Sequence, residues 1–566
     1  MIEYRLSQNH PQDPFLNIEI KLNTNSDKLK LKLSNWRPGR YQLGNFSKYL
    51  RGFKAYDSNH KPLSFKKTDK NSWEIESDTY SYIIQYQIYT SIIDGGSTFV
   101  DEEHWYLNFI NCMLYDADNM NQQYKVLLDI PSDWQIACGL QKEGTTLIAD
   151  NFYQLVDSPA LVGARLKHLK YSIDNYNFHL WFRGDFKIDD ESKIIKDFKN
   201  FSQHQLETMQ EFESKDYHFL FQILPEKAYH GVEHLNSTCI VLGPAKEFNS
   251  DEFYSNLLGI SSHELFHYWN IIRIRPQEMH PYDFDKENYF TTGYVAEGVT
   301  TYYGDLFLIR SGVKDLDWYQ KELNKLFKRH FENYGRFNYS LAESSYDLWL
   351  DGYEAGIPHR KVSIYVKGAL IALILDLRII LKSKGEKSLD DVMRLLWNNY
   401  YKNDQGYSAE DYLKTAEEVM GEDLSQYSYD YITGTKPIED ELNSLLSEFG
   451  FDLTIKKNEN LLSRYFGIKT NEDKILNIAP KSIAEKKLRI GDQIISINGI
   501  KFDETSELWF ESGNPEYVVQ VLRNQKIKEV SLKIEDVNYF NSYVIESQKE
   551  VSDYQLENRK KWLNLG

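Results

Sequence analysis

The hydrophobic residues of this 566-residue chain change their period twice, and no single core accommodates both changes. Up to about Ala164, apolar and polar residues alternate in short runs such as NIEIKL (residues 17–22) and KLKLKL (residues 28–33). Turn clusters such as DSNHKP and IIDGGS break these runs. A period of two puts every second side chain on one face of a strand, so residues 1–164 are predicted to form an antiparallel β domain. From about Arg165, apolar residues recur three and four apart, as in KDFKNFSQHQLETMQEF and DDVMRLLWNNYY, which predicts a mainly helical domain over residues 165–440. Beyond Thr433-Gly434-Thr435-Lys436-Pro437 a helical connector is expected, and then strand-like runs return in DQIISINGIKF and EYVVQVLR. They mark a small β domain over residues 445–536. The polar residues 537–566 read as a terminal helix or a loose tail. The fold class is multidomain α+β.

Charge narrows the partners. The 84 acidic residues against 66 basic ones give a net charge of -18, which repels phosphate backbones and argues against nucleic acid. Cys112, Cys138 and Cys239 are widely spaced and form no CxxC pair, so they indicate neither a disulfide framework nor a thiolate metal site. The most apolar stretch, Gly368 to Leu375, is interrupted by Asp376 and Arg378 and falls short of the roughly 20 residues that span a bilayer. A buried helix is expected there, and no membrane partner. The opening residues MIEYRLSQNHPQDPF lack a basic segment followed by an apolar one, so a cytoplasmic location is expected.

The chemistry concentrates in Ser261-Ser262-His263-Glu264-Leu265-Phe266-His267. On a helix, His263 and His267 share a face, close enough for both imidazoles to bind one ion. Glu264, beside the first histidine, can reach a water on that ion without ligating it, as a general base does. Such a motif also arises by chance on amphipathic helices. A second segment, Gly293-Tyr294-Val295-Ala296-Glu297-Gly298, then supplies Glu297, an acidic residue in an apolar surround and the natural third ligand of one zinc ion. A third, His230-Gly231-Val232-Glu233-His234, lies between two strand-like runs and is placed to form an edge strand beside a cleft. Glu233 there either binds a substrate ammonium group or is a structural or surface residue. A fourth, Ser363-Ile364-Tyr365-Val366-Lys367-Gly368, opens the apolar helix, and Tyr365 either packs or donates to a developing oxyanion.

These four segments, in this order, resemble the glycyl aminopeptidase family. Its members are gluzincin metallopeptidases that join a β-rich N-terminal domain, a thermolysin-like catalytic domain and a PDZ domain. The resemblance extends to Trp36-Arg37-Pro38-Gly39-Arg40-Tyr41, to Asp157-Ser158-Pro159, to Arg273-Ile274-Arg275-Pro276 and to Leu389-Asp390-Asp391-Val392-Met393. It implies zinc on His263, His267 and Glu297, with Glu264 and Tyr365 catalytic. It also implies substrate binding by Gly231, Glu233 and His234, which are similar to the GxMEN-type exopeptidase segment. Tyr465-Phe466-Gly467-Ile468 and Leu488-Arg489-Ile490-Gly491-Asp492 through Asn498-Gly499 are similar to a PDZ domain, a fold that accepts a peptide as an added strand. The module either does so here or only packs against its neighbour. The implied function is removal of small N-terminal residues such as Gly or Ala from peptides with a free N-terminus. The rivals are a PDZ-assisted endopeptidase and a non-catalytic peptide-binding scaffold.

Overall fold

In the computed structural model, residues 1–24, 28–354, 356–503 and 514–565 are described. The first region is built on an eight-stranded sheet ordered Gln141–Glu143, Thr146–Ala149, Tyr124–Leu128, Ile2–Ser7, Phe15–Asn23, Ser81–Tyr89, Leu50–Asp57, Pro62–Leu63. The alternation read from sequence decides which face is buried: Leu16, Ile18, Ile20 and Leu22 of one strand point inward, and Leu29 and Leu31 do so in Lys28–Lys32. All neighbours in this sheet run antiparallel except Ile2–Ser7 and Tyr124–Leu128, which run parallel. Two four-stranded sheets complete the region.

The middle region is helical, but it opens on a five-stranded mixed sheet ordered Lys167–Ile173, Tyr176–Arg183, Asp216–Ile223, Ser237–Gly243, Ala228–His234. The helix Glu191–Met209 carries the parallel crossover between its second and third strands. Ala228–His234 is an edge strand, as its sequence context predicted, because among the described residues only Ser237–Gly243 pairs with it. Helices Asp251–Phe266, Thr300–Arg310, Leu316–Phe331 and Ile364–Lys382 follow. The last of these is buried nearly all round, which accounts for its unbroken apolar run. Among the described residues, no helix is long and apolar enough to cross a membrane.

The seam between the first two regions is the segment Asn35–Tyr41. Asn35 N–H donates to the Phe284 carbonyl at 2.8 Å, the Trp36 indole donates to the Asp283 carbonyl at 2.6 Å, and the ring packs edge-on against Tyr282 and Trp349. All three cysteines are buried and free.

After the connector helix Glu439–Ser447, a six-stranded sheet between Ile468 and Lys533 has its own core of Leu462, Phe466, Ile475, Ile494, Val519 and Leu532. The strand Phe451–Lys456 does not join it. It pairs antiparallel with Ser542–Ser547 in a two-stranded ribbon that lies on the helix Leu316–Phe331, where Tyr543 stacks on Phe331 at 4.0 Å. The chain ends in a docked helix, Asp553–Leu563. Its Trp562 is fully buried, donates to the Tyr302 hydroxyl at 2.9 Å and accepts from Arg310 Nε at 2.8 Å.

Candidate active site

Ser250 caps the helix Asp251–Phe266, with Asp251 and Glu252 in its first turn. His263 lies in the helix's last turn and His267 just past its end, where the His267 N–H still donates to the His263 carbonyl at 3.3 Å. The helical spacing therefore holds across the terminus, and the two Nε2 atoms lie 3.0 Å apart with the rings nearly perpendicular. His267 Nδ1 donates to the Asn270 carbonyl at 2.9 Å, which fixes the tautomer and turns Nε2 toward the site. The Asn270 side chain in turn donates to the Val295 and Ala296 carbonyls and to Thr300 Oγ1, tying this helix end to the segment that carries Glu297.

Glu297 sits in a π-helical turn, Tyr294–Val299, ahead of the helix Thr300–Arg310. Its Oε2 is 3.4 Å from His267 Nε2, and its Oε1 accepts from the Tyr41 hydroxyl at 2.9 Å. The turn meets the helix Ile364–Lys382 through two glycines. A Cβ on Gly298 would lie 2.5 Å from the Gly368 Cα, so only hydrogen fits there. That crossing brings Tyr365, in the first turn of its helix, beside Glu297. The Tyr365 hydroxyl is hydrogen-bonded to Tyr353, whose own oxygen accepts from the Tyr41 N–H at 3.2 Å.

The edge strand supplies the opposite wall. Glu233 is buried, and together with Glu264 and His267 it forms a second close group of ligand-type atoms. Gly231 gives Glu264 its room, since a Cβ there would fall 2.1 Å from Glu264 Oε1. His234 points elsewhere: its Nδ1 is held by Asp157 Oδ1 at 2.9 Å, so it braces the strand against the first region. His230 accepts from the Gly95 N–H at 3.1 Å.

The electrostatics favour a cation. Burial pushes Glu264 well above the usual carboxylate range, with the charges of Glu233 and Glu297 adding to it. Glu233 rises to about 7 through burial, again with Glu297 adding. Burial lowers His263, whereas at His267 the charges of Glu233, Glu297 and Glu264 overcome burial and raise the ring to about 10. Three buried carboxyl groups thus crowd two imidazoles and take up protons, which a bound cation would displace. His263, His267 and Glu297 present ligand atoms within 4.8 Å of one another. Their 3.0 and 3.4 Å separations match the roughly 3.3 Å edge of a tetrahedron with about 2.0–2.1 Å metal–ligand bonds. Among the described residues, Glu264 Oε2 is buried with no hydrogen-bond partner, so one acceptor at the site is left over. The residues present thus fit a zinc ion with an open fourth position. Tyr41, Tyr353 and Asn270, which sequence reasoning gave no role, surround the site. Tyr41 carried a signal as the last residue of Trp36-Arg37-Pro38-Gly39-Arg40-Tyr41, and Asn270 by following the histidine pair closely.

Three family models match the chain: the peptidase M61 N-terminal domain over residues 3–164, M61 glycyl aminopeptidase over residues 256–371, and the PDZ domain over residues 442–535. Among solved structures, the chain is similar to a crystal structure described as an aminopeptidase N family protein from Idiomarina loihiensis. The two are 25% identical, with 100% of each chain covered and a TM-score of 0.91. No curated protein matches.

Proposed function

The chain belongs to the M61 glycyl aminopeptidase family and is a peptidase, and from that premise we propose that it is a zinc-dependent aminopeptidase removing small N-terminal residues such as Gly or Ala. The observation that carries this reading is the grouping of His263, His267 and Glu297 beside the unpartnered, buried Glu264 Oε2, with Glu233 on the adjoining edge strand. In this reading residues 1–164, 165–440 and 445–536 are the three domains, the second holding one zinc ion on the two histidines and Glu297. When bound, the ion supplies Lewis acidity that lowers a water's pKa and polarises a carbonyl.

The protein's own groups do the rest. Glu264 accepts the water's proton on its free oxygen and returns it to the leaving amine nitrogen, a role suited by its raised pKa. Burial and the charge of Glu297 push the Tyr365 hydroxyl well above its ordinary pKa, so it stays protonated and donates to the carbonyl oxygen as negative charge develops there. Glu233 accepts from the substrate's ammonium group, and Gly231 keeps the strand close to Glu264. His234 serves the same strand through Asp157 rather than by touching substrate.

Metal content by mass spectrometry, together with hydrolysis of glycyl and acetyl-glycyl amides, tests the proposal. Wild type should carry one zinc and prefer the free amine. Glu297→Ala should lose metal and activity together. Glu233→Ala should slow the free-amine substrate by roughly 10- to 150-fold while sparing the acetylated one. Equal slowing of both would favour the endopeptidase.

A further inference from the structure

A pocket of about 260 Å3 beside the segment Arg37–Arg40 has a charge pattern that the chemistry above leaves unused. Arg37, Arg40 and Lys48 stand in its wall against one carboxylate, Asp94. Among the described residues none of the three cations forms an ion pair. Asp94 instead accepts from the Gly96 N–H at 2.7 Å. Arg37 is only 5% exposed, yet of its five N–H donors only one is used, by the Pro38 carbonyl at 3.2 Å. Arg40 donates Nε to Gln42 at 3.0 Å and lays its guanidinium over the Tyr353 ring at 4.5 Å. In a chain with 84 acidic residues, three clustered cations left without a carboxylate are not a consequence of composition. None of the Arg37 nitrogens is a fully buried atom without a partner, so its unused N–H groups open to solvent, where an anion can meet them.

The same segment borders the catalytic groups. Gly39, between the two arginines, lies against Glu233, where a Cβ would fall 2.9 Å from Oε2. Tyr353, under Arg40, is hydrogen-bonded to Tyr365. A substrate whose ammonium group meets Glu233 therefore has the cationic pocket next to it. Planar guanidinium groups with free N–H pairs match a carboxylate in shape and charge.

We propose that this pocket is a carboxylate-binding subsite of the peptide cleft, filled either by the side chain of an acidic first residue or by the terminal carboxylate of a very short peptide. The proposal rests on the aminopeptidase reading. The test is kcat/KM of the zinc-loaded full chain on two matched pairs, glutamyl against glutaminyl p-nitroanilide and Gly-Ala acid against Gly-Ala amide, with glycyl p-nitroanilide as neutral reference. One pair should favour its carboxylate member by about tenfold or more, as for a charge-assisted hydrogen bond. That ratio should fall several-fold in Arg40→Gln and in Lys48→Met, and Arg40→Lys should recover part of it. The favoured pair identifies the source of the carboxylate. Equal rates within both pairs, or ratios unchanged in the variants, overturn the subsite while hydrolysis of the glycyl reference leaves the peptidase reading standing. Failure of zinc-loaded wild type on every substrate overturns both.

Discussion

The Tyr41 hydroxyl donates to Glu297 Oε1 at 2.9 Å, joining residues 256 positions apart in the chain. The first region thus supplies the partner that orients one of the three candidate metal ligands. Burial and the charges of Glu297 and Glu233 hold the Tyr41 pKa far above its ordinary value, so the hydroxyl remains a donor. Removing such a supporting hydrogen bond costs about 10- to 100-fold in metal affinity. Tyr41→Phe should weaken zinc binding by that amount in a chelator competition while leaving the circular dichroism spectrum unchanged. Unaltered affinity would mean that Glu297 is held without it.

In the proposed mechanism Glu264 is the base, and it lies outside the His263, His267 and Glu297 group. Glu264→Gln should retain zinc at wild-type stoichiometry and lose roughly 100-fold or more of kcat, the scale of a positioned acid–base group. Near-normal turnover by the zinc-loaded variant would remove Glu264 from the mechanism.

Two glycines should respond to alanine with opposite signs. Gly298 has the Gly368 backbone 2.5 Å from its notional Cβ, so Gly298→Ala forces the π-helical turn and the Tyr365 helix apart. Overpacking of this kind costs about 1–3 kcal/mol, and turnover should fall with stability because Tyr365 moves relative to Glu297. Gly259, inside the helix Asp251–Phe266, meets nothing nearer than Asp305 Oδ1 at 3.9 Å. Gly259→Ala should therefore stabilise by up to about 1 kcal/mol through helix propensity. Chemical denaturation of both variants checks the signs.

Asp376 gives a pH signature remote from the candidate site. It is fully buried, accepts from Tyr302 and from the Leu389 N–H at 2.8 Å, and lies 3.7 Å from Arg310. Burial raises its pKa to about 6, with Arg310 opposing and Asp390 adding. An unfolded Asp titrates near about 3.9, so between pH 4 and 6 the folded state holds a proton that the unfolded chain has lost. Stability from this group accordingly falls as pH rises through that window and levels off above it. Asp376→Asn should gain about 2–3 kcal/mol on wild type between pH 4 and 7. A gap that stays constant with pH would show that Asp376 does not titrate there.

The sequence made some of this legible for reasons that lie in local geometry. The two histidines four apart had to share a helix face, and a run such as NIEIKL had to bury one face of a strand. The edge strand around Glu233 was readable because strand-like runs flank it on both sides. Other features depended on distant pairing. The strands Lys167–Ile173 and Tyr176–Arg183 lie in a stretch whose overall texture is helical, and only their partners in the five-stranded sheet settle them. The π-helical turn under Glu297 carries the same apolar spacing as an α-helix. Tyr41 reaches Glu297 across 256 residues, and Tyr353 meets Tyr365 outside any helix or strand of its own, and neither contact leaves a periodic trace. The terminal helix is anchored by Trp562 and Leu563 and by hydrogen bonds from Asn558 and Arg559 in an otherwise charged segment, which is why composition alone left it open.

The ribbon formed by Phe451–Lys456 and Ser542–Ser547 fixes how the PDZ module is attached. Lys456 and Ser542 are register partners, so the chain departs and comes back at neighbouring points, about 5 Å apart between paired Cα atoms. The module is therefore an insertion in a hairpin, with the peptidase resuming after it and sealing itself with Trp562. Two adjacent moorings restrict its swing more than one flexible tether would. A third contact adds to them: His359 Nε2 donates to the Ile478 carbonyl at 2.8 Å, from the same loop that presents Tyr353 to Tyr365. Replacing everything between Lys456 and Ser542 by a two-residue turn would keep the hairpin's geometry intact. It would also release that loop, which makes the module a brace for Tyr353 and Tyr365 as well as a detachable cassette.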